Sequence, residues 1–153
     1  MSITASGWFV SQFIQDKIGA HALNLDLETH RVALLTNAST PDFSSSAANA
    51  RYGNAQFVEL GAGGGYTAGG ALLTSTTVTE SPATVLMWDA ADVSWASSTL
   101  TGVRGCLIYA DAITTPNADP AILLVNFGAD YATNNGTFTI QWAAGGIGTI
   151  DLA

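Results

Sequence analysis

The chain has 153 residues, of which 48% are hydrophobic and only 10% are charged, and its formal net charge is −8. A chain of this length is expected to form one domain, over residues 1–153, whose core needs neither a disulfide nor a metal. The four basic residues are scattered, which argues against binding to nucleic acid or to an anionic membrane surface. Cys106 is the single cysteine, so an intrachain disulfide is excluded, and its strand-like surroundings favour a small buried hydrophobe.

An amphipathic helix is predicted at the N-terminus, over residues 7–20. Ser6 is the expected N-cap, and Gly19 lies where the helix can end. The apolar face contains five residues near helical spacing: Trp8, Phe9, Phe13, Ile14 and Ile18. The polar residues fall largely on the opposite side: Gln12, Gln15, Asp16 and Lys17. Such a helix either closes one end of a β domain, which we favour, or docks on a partner.

Residues 31–153 have the pattern of a β domain. Short apolar or alternating runs, separated by turn residues, predict eight strands: 31–36, 72–79, 84–88, 93–95, 102–109, 121–127, 137–142 and 147–152. A long loop over residues 37–56 is rich in Ser, Ala and Asn, and loops of that length tend to be functional or disordered. We therefore predict a mainly β fold, an antiparallel β-sandwich or barrel-like domain with one N-terminal α-helix.

The segment 61–70 is rich in glycine and leads into a β-branched run. Glycine-rich loops bind phosphate when they open a helix, whereas this one precedes a strand and lacks the lysine of a phosphate loop. A structural turn is therefore predicted here, shaped by glycines with positive φ and anchored by one aromatic ring: Gly63, Gly64, Gly65, Tyr66, Gly69 and Gly70.

Few residues in the chain suggest chemistry. On a strand, Asp26, Glu28 and His30 would share one face, which either holds a metal or, as we favour, is solvated. Asp89 and Asp92 form the closest carboxylate pair, and turn capping explains them better than glycoside hydrolysis does. No strained serine elbow is present either. We predict that the chain is not an enzyme and has no catalytic residue, no cofactor and no metal.

Two tryptophans leave one further alternative open. Trp88 and Trp95 flank a short acidic turn, where they could form an exposed platform on which a sugar stacks. Aromatic residues in strands more often belong to a core, which is the interpretation we favour.

Several short segments follow one another along the chain. They are, after the helix, 32–36, the Thr-Pro turn 40–41, 65–70, 88–95, 109–111, 127–128 and 136–142. In this order they resemble small structural proteins of tailed bacteriophages. The most specific parts of the resemblance are Gly-Tyr-Thr-Ala-Gly-Gly at 65–70 and Phe-Thr-Ile-Gln-Trp at 138–142.

The resemblance implies a β-rich virion component that is present in many copies and is assembled in the host cytoplasm. The first expectation is a capsid decoration or cement protein on the outer head surface, bound to the major capsid protein or to other virion subunits. The alternatives are a tail or head–tail joining component and a carbohydrate-binding module for host attachment. Neither nucleic acid nor a membrane is an expected partner.

Self-association is expected from composition as well. The mean hydropathy is +0.29 and charges are few, so the surface is poorly protected against association. A closed dimer or trimer is the default for such assemblies. The expected contacts come from the helix and the long loop: Trp8, Phe9, Phe13, Phe43, Arg51 and Tyr52.

Overall fold

The computed structural model describes residues 2–27 and 29–152, and this part of the chain is mainly antiparallel β-structure with one short helix. Its elements are, in chain order, β1 (Gly7–Trp8), α1 (Val10–Lys17), β2 (His30–Thr36), β3 (Ala71–Leu73), β4 (Thr77–Glu80), β5 (Val85–Asp89), β6 (Val93–Ser98), β7 (Val103–Ala110), β8 (Ala121–Tyr131), β9 (Gly136–Ile140) and β10 (Gly148–Asp151). Together they form a β-sandwich-like domain, which confirms the predicted fold class.

The strands form three antiparallel sheets. The largest has the order β1-β8-β7-β2-β3, the second has the order β10-β5-β4, and the third pairs β6 with β9. One buried cluster joins β2 and β7 of the large sheet to both smaller sheets: Val32, Leu34, Cys106, Ile108, Trp88, Trp95, Phe138 and Ile140. The two small sheets therefore pack over one face of the large sheet.

The opposite face of the large sheet is covered by the N-terminal segment and by the loop 37–56. Successive side chains of a strand point to opposite faces, so Leu35 and Leu107 point to this side. There they are fully buried in a second core cluster with Ile3, Phe9 and Phe57. The loop itself consists of turns and an isolated bridge between Arg51 and Pro120, and it adds a third layer to the domain.

The helix is shorter than predicted, because its first residues belong to the sheet. Gly7 and Trp8 pair with β8 instead of starting a helix, and the amide of Phe9 continues this pairing by donating to the Ile122 carbonyl at 2.9 Å. The Ser6 hydroxyl accepts from the Asn126 amide and does not cap the helix. The predicted range 7–20 is therefore wrong at both ends, since α1 spans Val10–Lys17.

One predicted strand, 72–79, is divided between two sheets. Its first part lies in β3 of the large sheet, and its second part forms the edge strand β4 of the three-stranded sheet. Ser75 has a φ of 54°, a left-handed conformation that breaks the extended chain between them. The other predicted strands are present with shifted ends, and β8 is the longest, at 11 residues.

Candidate functional site

The outward face of α1 is apolar. Val10, Ile14 and Ile18 are 57%, 53% and 67% exposed, and they follow one another at intervals of four residues. This spacing places them one above the other along the helix surface. We call these three residues the α1 stripe.

The most deeply buried side chain of α1 is polar, which departs from the orientation expected from the sequence. Phe13 packs against the main core as expected, whereas Ile14 and Ile18 do not. Gln12 is completely buried, and its Nε2 donates to the carbonyl oxygens of Ala47, at 2.9 Å, and of Ala50. Nε2 of the buried His21 lies 3.0 Å from the Gln12 backbone carbonyl and closes the same polar contact. The helix therefore meets backbone carbonyls of the loop 37–56, and its branched apolar side chains remain in solvent.

An apolar groove of about 540 Å³ lies beside the stripe. We call it the α1 groove. It is lined mainly by apolar side chains from α1, from the chain that follows it and from β5 and β10: Trp8, Val10, Phe13, Leu23, Leu25, Leu86, Ile150 and Leu152. Val10 belongs to both the stripe and the groove, so the two features form one continuous apolar surface.

Two ionisable side chains, Asp16 and Lys17, lie at the end of α1 and line the groove. Their charged atoms are 3.0 Å apart. Burial alone would raise the pKa of Asp16, but hydrogen bonds from the Leu23 amide and from Lys17 outweigh it and lower this pKa. Asp16 is thus a carboxylate at neutral pH, and the pair contributes no net charge to the surface.

The structure places the six expected assembly contacts in two different environments. Trp8 and Phe13 pack edge to face, with ring centroids 5.5 Å apart, and line the α1 groove. The other four lie on the loop side of the domain: Phe9, Phe43, Arg51 and Tyr52.

These four residues make contacts mainly within the domain. Phe9 is completely buried against Phe43 and Phe57, so the expectation that it contacts a partner is wrong. Phe43 and Tyr52 are half-buried against the same cluster. Nε of Arg51 donates to the Ala48 carbonyl within the loop.

The glycine-rich segment forms the tight turn expected from its sequence. Gly63, Gly64, Gly65, Gly69 and Gly70 all have positive φ. Gly63 and Tyr66 exchange two backbone hydrogen bonds, of 2.9 and 3.0 Å. The Tyr66 ring is 3% exposed, and its hydroxyl accepts from the Leu34 amide of β2 at 3.0 Å. Tyr66 therefore anchors the turn to the large sheet.

Glu59 is the centre of a polar cluster that sequence reasoning missed. Its carboxylate accepts from the hydroxyls of Tyr52 and Tyr66, both at 2.6 Å, and from the Gly69 amide at 2.7 Å. Burial is the first cause that raises the pKa of Tyr52 to about 12, and the hydrogen bond to Glu59 adds to it. The pKa of Tyr66 is also raised, mainly by burial. The cluster holds both phenols protonated and joins the loop to the glycine-rich turn.

The residues considered earlier for chemistry serve structural roles. Trp88 and Trp95 are 2% and 7% exposed, so they form no stacking platform at the surface. His30 is completely buried, with its ring 5.3 Å from that of Trp88, so the expectation of a solvated face is wrong for this residue. Of its expected neighbours, Asp26 lies in a turn and Glu28 lies outside the described residues.

The acidic turn and the cysteine also have structural surroundings. Asp89 accepts from the amide of the next residue, Ala90, which fits the turn-capping interpretation. Asp92 instead accepts from the Trp142 amide, 50 residues away, so turn capping is wrong for this residue. Cys106 is completely buried, and burial raises the pKa of its thiol to about 12.

Residues 2–27 and 29–152 contain neither a metal-binding cluster nor a membrane-spanning helix. No group of three or more His, Cys, Asp or Glu side chains is placed to hold a metal ion in this part of the chain. No helix within the same residues has the length and apolar character needed to cross a membrane.

A second, smaller cleft of about 250 Å³ lies where β8 approaches β9. Its aromatic residues are Phe127, Tyr131 and Phe138, with Thr139 and Gln141 beside them. The rings of Phe127 and Tyr131 meet edge to face at 6.2 Å, and Tyr131 is 50% exposed. An exposed ring with polar neighbours is the kind of surface on which a sugar can stack.

The chain matches no protein-family model, no curated protein and no solved structure.

Proposed function

We propose that the chain is a non-enzymatic structural protein of a tailed-bacteriophage virion, and specifically a capsid decoration or cement protein on the outer head surface. Its partners are the major capsid protein or other virion subunits, together with further copies of itself. The observation that carries the proposal is the continuous apolar surface formed by the α1 stripe and the α1 groove.

Exposed apolar surfaces of this kind mark sites of protein association, because covering them removes apolar area from water. The stripe is not needed to hold the helix in place, since α1 is fixed from its other side by Gln12 and Phe9. A helix that is attached through Gln12 and Phe13 and presents the α1 stripe to solvent is suited to binding another protein.

Charge supports a position on the outside of the head. The net charge of −8 disfavours contact with packaged DNA, since binding to phosphates requires clustered lysine and arginine. The resemblance of the sequence segments to phage structural proteins supports the assignment to a virion. A surface with few charged residues is compatible with an exterior protein that packs on a protein lattice.

The test is the position of the chain in purified particles of the phage that encodes it. We expect electron microscopy to show it at regular sites on the outer head. Its copy number should stand in a fixed ratio to the number of major capsid protein subunits. Purified chain should also bind heads that lack it until those sites are full. Absence from the particle would overturn the proposal, and a few or ring-multiple copies on tails would establish the alternative of a tail or head–tail joining component.

The cleft between β8 and β9 favours a second candidate, a carbohydrate-binding module for host attachment. Tyr131 supplies an exposed ring, and Thr139 and Gln141 supply polar groups beside it. Titration of the chain with a panel of mono- and oligosaccharides tests this function. Saturable binding that is lost in Tyr131→Ala and kept in Tyr66→Phe would support it, and no binding to any member of the panel would count against it.

A further inference from the structure

We propose that the α1 stripe is the contact surface for a second copy of this chain, which packs its own α1 antiparallel across a twofold axis at Ile14. This inference rests on the assembly function proposed above, since it names the partner that covers the stripe. In a twofold contact the same patch is used by both copies, so the patch must be complementary to itself. Spacing, charge and area each satisfy that condition.

The stripe has the spacing that an antiparallel pair requires. Val10 and Ile18 each lie four residues from Ile14, on opposite sides of it. When two such helices run antiparallel about Ile14, the two Ile14 side chains meet, and Val10 of each copy faces Ile18 of the other. Because Val10 lines the α1 groove, Ile18 of the second copy lies at the mouth of that groove. The contact thus covers the stripe and extends to the Val10 edge of the groove.

The side-chain charges of α1 do not oppose a second copy, although each copy has a net charge of −8. The ionisable side chains of α1 are Asp16 and Lys17, which have opposite sign and lie 3.0 Å apart. Two copies therefore bring no net charge of these helices into contact. The antiparallel arrangement also places the positive N-terminal end of each helix dipole beside the negative C-terminal end of the other. A nucleic acid or an anionic membrane would instead require a cluster of cations beside the stripe.

The exposed apolar surface is large enough for a small stable dimer. Five branched side chains in the stripe and the groove are between about a third and two thirds exposed: Val10 57%, Ile14 53%, Ile18 67%, Leu86 37% and Leu152 67%. Together with the half-buried rings of Trp8 and Phe13, these side chains supply most of the area that one partner contributes to a small specific interface. That area is roughly 600–800 Å². A monomer would leave this whole surface in water.

Cysteine cross-linking tests both the contact and its direction. The native thiol of Cys106 is completely buried, so cross-links formed with the mild oxidant diamide come from introduced cysteines. We expect Ile14→Cys to give a covalent dimer at high yield, because the twofold axis brings these two positions together. Thr137→Cys, at an exposed position of β9, is the matched control and should give little dimer.

The direction is tested with two further variants. In the antiparallel pair, the two copies of residue 10 are about 12 Å apart along the helix axes, which is too far for a disulfide. Val10→Cys and Ile18→Cys should therefore cross-link poorly alone and efficiently when mixed. Efficient cross-linking of each variant with itself would overturn the antiparallel arrangement.

Sedimentation of the uncross-linked protein gives an independent measurement. We expect a dimer for the natural chain and a monomer for Ile14→Lys, which should keep its circular-dichroism spectrum because residue 14 is exposed. A monomer at all concentrations, or Ile14→Cys cross-linking no better than Thr137→Cys, would overturn the inference. Failure to bind heads while cross-linking is intact would count against the decoration function alone.

Discussion

The rings of Tyr52 and Tyr109 stack face to face, with their centroids 4.3 Å apart and their planes inclined by only 7°. Tyr52 belongs to the loop 37–56, and Tyr109 belongs to β7, so the stack joins the loop to the large sheet. The Tyr52 hydroxyl donates to Glu59, and the Tyr109 hydroxyl donates to the Gly69 carbonyl at 2.8 Å. Loop, glycine-rich turn and sheet are thus connected through one group of side chains centred on Glu59.

The first prediction concerns the carboxylate that accepts these hydrogen bonds. Glu59→Gln replaces one of the two carboxylate oxygens by an NH2 group. That NH2 group cannot accept a hydrogen bond from the donor that the oxygen served. We expect a loss of about 1–3 kcal/mol in the free energy of unfolding, because a part-buried donor then lacks its partner. Urea denaturation measures this change. Glu80→Gln, on the exposed strand β4, is the control and should change stability by less than about 0.5 kcal/mol. Equal effects of the two substitutions would contradict the role of Glu59.

The second prediction concerns stability at alkaline pH. The pKa of Tyr52 is raised from 10.0 to about 12 in the folded chain, mainly by burial, and those of Tyr66 and Tyr109 are raised as well. Above pH 10 the unfolded chain loses phenolic protons that the folded chain keeps, so proton loss favours unfolding. The contribution of these phenols to stability should therefore be fully present below about pH 10 and be lost as the pH rises towards 12.

Urea midpoints measured across this pH range test the expectation. Tyr52→Phe is the informative variant, because it removes one of the titrating groups without removing the ring that stacks on Tyr109. Its decline with pH should be shallower than that of the natural chain. Parallel declines in the two proteins would show that Tyr52 does not contribute.

The glycine-rich turn provides a graded series of substitutions. Gly70 has a φ of +75°, and a Cβ atom there would collide with the carbonyl oxygen of Val32 in β2. Backbone strain and this collision together predict that Gly70→Ala costs about 3 kcal/mol or more. At Gly63 the φ is +128° but the space is open, so Gly63→Ala should cost only the backbone strain, on the order of 1 kcal/mol.

Gly61→Ala completes the series as its control. A Cβ atom at Gly61 meets nothing within 4 Å, so this substitution should leave stability unchanged or raise it by up to about 1 kcal/mol. Thermal unfolding of the three variants should give the order Gly61→Ala, Gly63→Ala, Gly70→Ala from most to least stable. A different order would mean that contacts outside the turn determine its conformation.

Period-two patterns and turn residues predicted the mainly β fold well. The alternation of Phe138 and Ile140 with polar neighbours marks β9, and Asn135–Gly136 marks the turn before it, because both signals are local. The break at Ser75 could not be predicted, since a serine in a β-branched run carries no turn signal. Its left-handed conformation follows from the assignment of β3 and β4 to different sheets.

The candidate surface and the Glu59 cluster were harder to predict for a different reason. An amphipathic pattern indicates that a helix has two faces, but it does not say which one is buried. In α1 the carbonyls of Ala47 and Ala50 select Gln12 for the interior, and these partners are 35 and 38 residues away in sequence. Glu59 likewise depends on tyrosines that come together only in the folded chain. Contacts between distant residues leave no spacing pattern in a single sequence.

The last prediction concerns the contact that fixes the orientation of α1. Gln12→Ala removes the side chain that donates to the Ala47 and Ala50 carbonyls, and it leaves a space between the helix and the loop. We expect a loss of about 1–3 kcal/mol in the free energy of unfolding, since the Ala47 carbonyl then lacks its donor, whereas the Ala50 carbonyl keeps the amide of Ala121. Gln15→Ala, a half-exposed position on the same helix, controls for helix propensity and should have little effect. If Gln12→Ala were as stable as Gln15→Ala by urea denaturation, a polar contact with the loop would not be what turns the apolar side chains of α1 towards solvent.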